Sequence, residues 1–97
     1  MNKWADYLIS AVRYDEERNH ITHLKVHSNK ETDSVAYLRS TVIALISVGN
    51  TFNTIYRDNG QWKNGARVQV ITVDGEDYLR TDSNNIKRDN LGELPEF

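Results

Sequence analysis

Apolar and polar residues alternate along most of this chain, the period-two pattern of strands with one buried face. Asp6 to Tyr14 reads as a first strand, with Leu8, Val12 and Tyr14 sharing a face, and Ile21 to His27 as a second. The polar link Asp15-Glu16-Glu17-Arg18-Asn19 between them makes a hairpin the simplest connection. Ser28 to Thr32 is a loop by composition. The period then changes. Val35, Leu38, Val42, Leu45 and Ile46 recur at helical spacing, Asp33 or Ser34 can cap the first turn, and Gly49 supplies a left-handed stop. These signals predict one helix of about fifteen residues, with a strand as the rival reading because β-branched residues are frequent. Ile43 lies off the main apolar stripe, as in a helix covered on more than one side.

Alternation resumes at Thr51 to Arg57, where Phe52, Thr54 and Tyr56 share a face, and again at Arg67 to Val73, the strongest strand pattern in the chain. Asp74-Gly75 is a tight-turn dipeptide that lets Glu76 to Arg80 pair back as a fifth strand. Asn59-Gly60 and Asn64-Gly65 flank Gln61-Trp62-Lys63 and predict a loop between the third and fourth strands. At the end of the chain, Leu91, Leu94 and Phe97 are spaced so that all three can return to a core. The expected architecture is α+β, a single domain over residues 1–97. A mostly antiparallel, twisted five-stranded sheet in the order β-β-α-β-β-β carries one helix packed across it and an ordered C-terminal tail.

Ninety-seven residues suit one hydrophobic core. The absence of cysteine excludes disulfides and thiolate metal sites and makes the cytoplasm the default compartment. Asp6 interrupts the place where a leader would begin its apolar run, and Val42 to Ile46 falls far short of the ~20 residues that cross a bilayer, so no membrane partner is expected. Twelve basic and fourteen acidic residues, a net charge of −2, are too balanced for the counterion release that drives nucleic-acid binding.

The candidate chemistry is polar rather than catalytic. His23 and His27 would share a strand face about 13 Å apart with His20 facing the other way, so the three imidazoles cannot reach one ion, and no metal or cofactor is expected. Gly60 and Gly65 have the glycine spacing of a phosphate loop, but Ala66-Arg67 stands where Lys-Ser or Lys-Thr belongs. Trp62, with Arg57 and Arg67 near it, suits a stacked base or a protein hot spot if exposed, and otherwise folds over the end of the core. No nucleophile stands in a catalytic spacing. Asp82 and Asn84 faintly resemble the start of a calcium loop, but Lys87 occupies the position that needs glycine. The segment Arg80, Thr81, Asp82 and Asn84, with Asp89 and Asn90, can close local turns. Arg80 either bridges to Asp82 or Asp89, tying the tail to the sheet, or stays free to grip an anion.

On Ile9 to Tyr14, His20-Ile21, Gly49 to Thr54, Tyr78 to Asp82 and Asp89 to Pro95, the chain resembles a small bacterial family, domain of unknown function number 3892. The resemblance spans nearly the whole chain. It implies a single domain with a built-in tail and supplies no chemistry; where members have a proline after Asp82, this chain has Ser83. The reading that results is a small, non-catalytic binding module for a polar or anionic, nucleotide-like ligand, with Arg80, Thr81, Asp82, Asn84, Asp89, Asn90 and Trp62 as candidate site residues. The alternatives are a protein-interaction domain (adaptor, inhibitor or homodimer) that docks through a sheet edge and the Trp62 loop, and an enzyme.

Overall fold

The alternating segments all become strands in the computed structural model, which describes residues 4–18, 20–29, 33–82, 88–92 and 94–97. β1 (Tyr7–Tyr14) and β2 (Ile21–His27) form the antiparallel hairpin that their polar link predicts. β3 (Val35–Leu38) continues on the outer side of β2, and α1 (Arg39–Ser47) follows without a break. β4 (Phe52–Asp58) and β5 (Gln61–Arg67) make a second antiparallel pair. β6 (Gln69–Val73) and β7 (Glu76–Arg80), joined through Asp74-Gly75, form a separate two-stranded sheet. The larger sheet runs β3-β2-β1-β4-β5. The fold is α+β with one helix.

Several expectations are corrected. The predicted fifteen-residue helix is half strand: Val35 to Leu38 pair with Val26 to His23, and only Arg39 to Ser47 is helical. Neither Asp33 nor Ser34 caps it. Leu38 occupies the cap position in extended conformation, with no side-chain cap. The open edge of β2 offers ladder hydrogen bonds to a stretch rich in β-branched residues, and this tertiary pairing overrides the helical spacing. The helix stop is where Gly49 placed it. Gly49 (φ 103°) donates to Ile46 O at 3.0 Å, and Asn50 donates to Leu45 O at 3.0 Å, a Schellman closure.

The five expected strands are seven, in two sheets, and the larger sheet is mixed. Tyr7, Leu8 and Ile9 pair in parallel with Phe52, Asn53 and Thr54. The predicted 59–65 loop is a turn at Asn59-Gly60 only, after which Gln61 to Arg67 pair back. Gly65 serves close approach and not a turn, since a Cβ there would meet Thr54 O at 2.7 Å. The long strand expected over 67–73 divides at buried Val68, whose amide donates to Phe52 O at 2.8 Å. Arg67 thus ends one sheet and Gln69 begins the other.

A bulge also redistributes the first strand. Register slips between Ile9 and Ala11, leaving Ser10 unpaired. Leu8 therefore packs with Ala5 and Ile55 on one side of the sheet, while Ile9 and Val12 join the main core of Ile21, Leu24, Val26, Val42, Phe52, Val68, Leu79 and Leu91. Leu8 and Val12, expected on one face, belong to different clusters. No helix among the described residues is long and apolar enough to cross a membrane.

Candidate functional site

The C-terminal residues enter the fold through backbone pairing. Asn90 donates to Leu79 O at 2.8 Å and accepts from Thr81 N at 3.1 Å, a parallel bridge against Arg80. Further on, Val12 donates to Pro95 O at 2.9 Å and accepts from Phe97 N at 3.1 Å, so the chain end lies alongside β1 beyond the point where β4 leaves it. Leu91 is buried in the main core and Leu94 packs against it. Phe97 lies under two cations instead, 4.6 Å from the Arg13 guanidinium and 5.0 Å from the Lys25 ammonium. Arg18 completes the attachment with a two-pronged pair to Glu96 at 2.7 and 2.8 Å. The Arg18 guanidinium holds the Glu96 carboxyl below the usual glutamate range.

At the centre of this region is Asp89, 1% exposed. Its Oδ2 accepts from Ile21 N at 2.7 Å and Arg39 Nε at 2.7 Å; its Oδ1 accepts from Leu79 N at 2.8 Å and Arg39 Nη2 at 3.1 Å. One carboxylate thereby joins the first residue of β2, the first residue of α1 and the penultimate residue of β7. Arg39 Nη2 also reaches Asp77 O. Three of the segments that carry the family resemblance meet at this point. The sequence named Asp89 but gave no sign of Arg39 or Ile21, because their separations of 50 and 68 residues are set only by topology.

Arg80 lies beside this hub, 2% exposed, with each guanidinium nitrogen on an intramolecular acceptor: Asp82 Oδ1 at 2.6 Å, Asp82 Oδ2 at 3.0 Å and Arg88 O at 2.7 Å. This arrangement ties the tail to β7. Hydrogen bonding to the half-exposed Asp82 raises the guanidinium pKa further above its ordinary value, against the lowering effect of burial. Thr81 lines a separate, mainly apolar cleft with Tyr56, Leu91 and Leu94. Asn84 and Lys87 lie outside the described residues.

Trp62 is not brought to this region. It packs half-buried against the Ala5, Leu8 and Ile55 cluster, edge-on to His27 at 5.7 Å, with the Arg57 guanidinium 4.3 Å from its ring. The three histidines likewise have different neighbours. His20 stacks on Tyr78, His23 contacts the Thr22 hydroxyl and His27 contacts the Ser10 hydroxyl.

What the structure does open beside Asp89 and Asn90 is a cleft of about 360 Å³, lined by Tyr14, Glu17, Arg18, Arg88, Asp89 and Asn90. Asp89 is saturated by its four donors and Arg18 is engaged by Glu96. Among the described residues, Arg88, exposed at the rim, has no side-chain hydrogen-bond or ion-pair partner. The Tyr14 hydroxyl and Asn90 Nδ2 are also without hydrogen-bond partners among the described residues, while Asn90 Oδ1 accepts from Gly92 N at 2.8 Å and holds its own turn. Partial burial raises the Tyr14 phenol pKa, so it stays a donor at neutral pH. Three residues with donors to spare thus line one polar cleft. Arg88 and Tyr14 were absent from the sequence-derived set: Arg88 reads as one of many surface cations, and Tyr14 as a strand aromatic.

A family model described as "Protein of unknown function (DUF3892)" matches residues 8–95. No curated protein matches the chain. No solved structure matches it.

Proposed function

The chain belongs to the DUF3892 family, whose description assigns no activity, and on its own geometry we propose that it is a small, non-catalytic binding module for a polar, anionic ligand. The observation that carries this reading is the set of uncommitted donors lining one cleft: the Arg88 guanidinium, the Tyr14 hydroxyl and the Asn90 amide. A guanidinium offers paired N–H groups to a carboxylate or phosphate, and neutral donors beside it select for acceptors. Glu17 on the same rim gives the ligand's neutral part a hydrogen-bond acceptor, which suits a nucleotide-like molecule better than a bare ion. In this reading Arg80, Asp82 and Asp89 hold the cleft in place, and Arg88 does the gripping.

Titration of the ¹⁵N-labelled chain with adenosine 5′-monophosphate tests it, with adenosine as the uncharged control. Saturable shifts centred on Tyr14, Arg88 and Asn90 are expected with the monophosphate. Arg88→Gln is expected to weaken them by roughly tenfold or more, the loss of one charge-assisted contact. Equal response to adenosine, or no saturable response, would contradict the proposal.

The second reading, docking on another protein, is supported by β3. It is one of the two edge strands of the larger sheet, carries no charge, and leaves Val35 and Leu38 61% and 54% exposed. Native mass spectrometry separates the two: a doubled or foreign-protein mass favours this reading, a retained small mass the first.

A further inference from the structure

β1 and β4 are the only parallel neighbours among the described strands, and the chain turns outward from them in opposite directions, to β2 and β3 on one side and to β5 on the other. In open sheets a crevice forms beyond the carboxyl ends of two such strands, because nothing fills the space where they separate. Here the separation is abrupt. Parallel pairing ends at Ile9 and Thr54; Ser10 is bulged out of register on one side, and β4 shifts register between Asn53 and Ile55 on the other. Pro95 and Phe97 take the place beside β1 only from Val12 onward.

The gap is a cleft of about 450 Å³ lined by Ser10, Tyr56, Arg57, Trp62 and Pro95. Trp62 shares a face of the β4–β5 ladder with Arg57, directly opposite it, and Pro95 lies at the cleft's other side. One group at its lining is set by a buried neighbour: the Ser10 hydroxyl lies 2.8 Å from Nε2 of His27, which is 6% exposed and packs edge-on to Trp62. Arg57 stands over the Trp62 ring, donates one N–H to Gly60 O at 3.1 Å, and keeps Nε and Nη2 without an acceptor among the described residues. An apolar slot with an oriented hydroxyl and a guanidinium that keeps N–H groups to spare is a recognised form of small-molecule site.

We infer that this split between β1 and β4 is a second binding site, separate from the Arg88 cleft, that takes a small aromatic carboxylate. The ring lies against Trp62 and Pro95, and the carboxylate accepts from Arg57 and from the Ser10 hydroxyl. His27 is a positioning residue that fixes the hydroxyl. The inference absorbs Trp62, which the Arg88 cleft leaves unexplained, and it does not depend on that cleft being occupied.

The test is a ¹H–¹⁵N titration of the full chain with phenylacetate, using neutral 2-phenylacetamide as the matched control. Phenylacetate is expected to shift Ser10, Arg57 and the Trp62 indole N–H saturably, and phenylacetamide to bind at least tenfold more weakly. Arg57→Gln, a change at an exposed position, and Ser10→Ala are each expected to weaken phenylacetate severalfold with spectra otherwise intact, while Arg88→Gln leaves it unchanged. Absence of saturation, equal binding of the neutral amide, or shifts centred on Tyr14, Arg88 and Asn90 would each overturn the inference.

Discussion

Asp89 and Asp82 are both aspartates of the tail held by arginine, yet their surroundings give them different weight. The Asp89 side chain is fully buried and takes four donors, two of them backbone amides; the Asp82 side chain is 46% exposed and pairs with Arg80. An asparagine at 89 would point an N–H at one of those amides and leave Arg39 with an uncompensated charge. Asp89→Asn is expected to lower stability by about 3–5 kcal/mol in chemical denaturation, as for breaking a buried pair. Asp82→Asn is expected to cost less, about 1–3 kcal/mol, since water reaches the Asp82 carboxylate while the Arg80 guanidinium it pairs with is buried. Glu96 gives a pH dependence. Because Arg18 depresses its folded pKa, its contribution is complete above the ordinary glutamate value of about 4.3 and is lost as pH falls through the lower folded value. Acidification below that range is expected to shift the Pro95 and Phe97 resonances before the core signals move. Sequence reading reached Arg80, Asp82 and Asp89 because polar residues clustered there; it could not choose among them, because burial decides their roles and burial is a tertiary quantity.

At the scale of elements, local signals held where local chemistry governs and failed where a neighbouring strand intervened. Asp74-Gly75 and Gly49 did what their backbone preferences dictate, with φ values of 81° at Gly75 and 103° at Gly49. Val35 to Leu38 carries a helical spacing, but β2 had an open edge, and the pairing took the segment. Asn64-Gly65 reads as a turn, although its glycine exists so that β5 can pass Thr54 at a register shift. Gly65→Ala is accordingly expected to destabilise by about 1–3 kcal/mol, the usual cost of forcing extra volume into a packed site. The same substitution at Gly60, which has open space but φ of 76°, is expected to cost less than this crowding, about 1 kcal/mol of backbone strain. Thermal denaturation of the two variants compares a steric role with a conformational one.

The whole molecule is assembled by long-range pairings that no stretch of sequence announces. Strand count, the parallel β1–β4 contact and the division into two sheets all depend on which segments meet, whereas fold class and the return of Leu91 and Leu94 to the core follow from composition and spacing. In this architecture the tail is the joint between the sheets, and the Arg88 cleft exists because Asp89 holds that joint closed. Hydrogen exchange in the unmodified protein measures the joint directly, through the two amides that donate to Asp89, Ile21 and Leu79. Ile21 is the first residue of its strand, where fraying would ordinarily give fast exchange. Both amides are expected to exchange only through global unfolding, as slowly as those of Ile9 and Leu24. Rapid exchange at Ile21 and Leu79 while the core stays protected would contradict it.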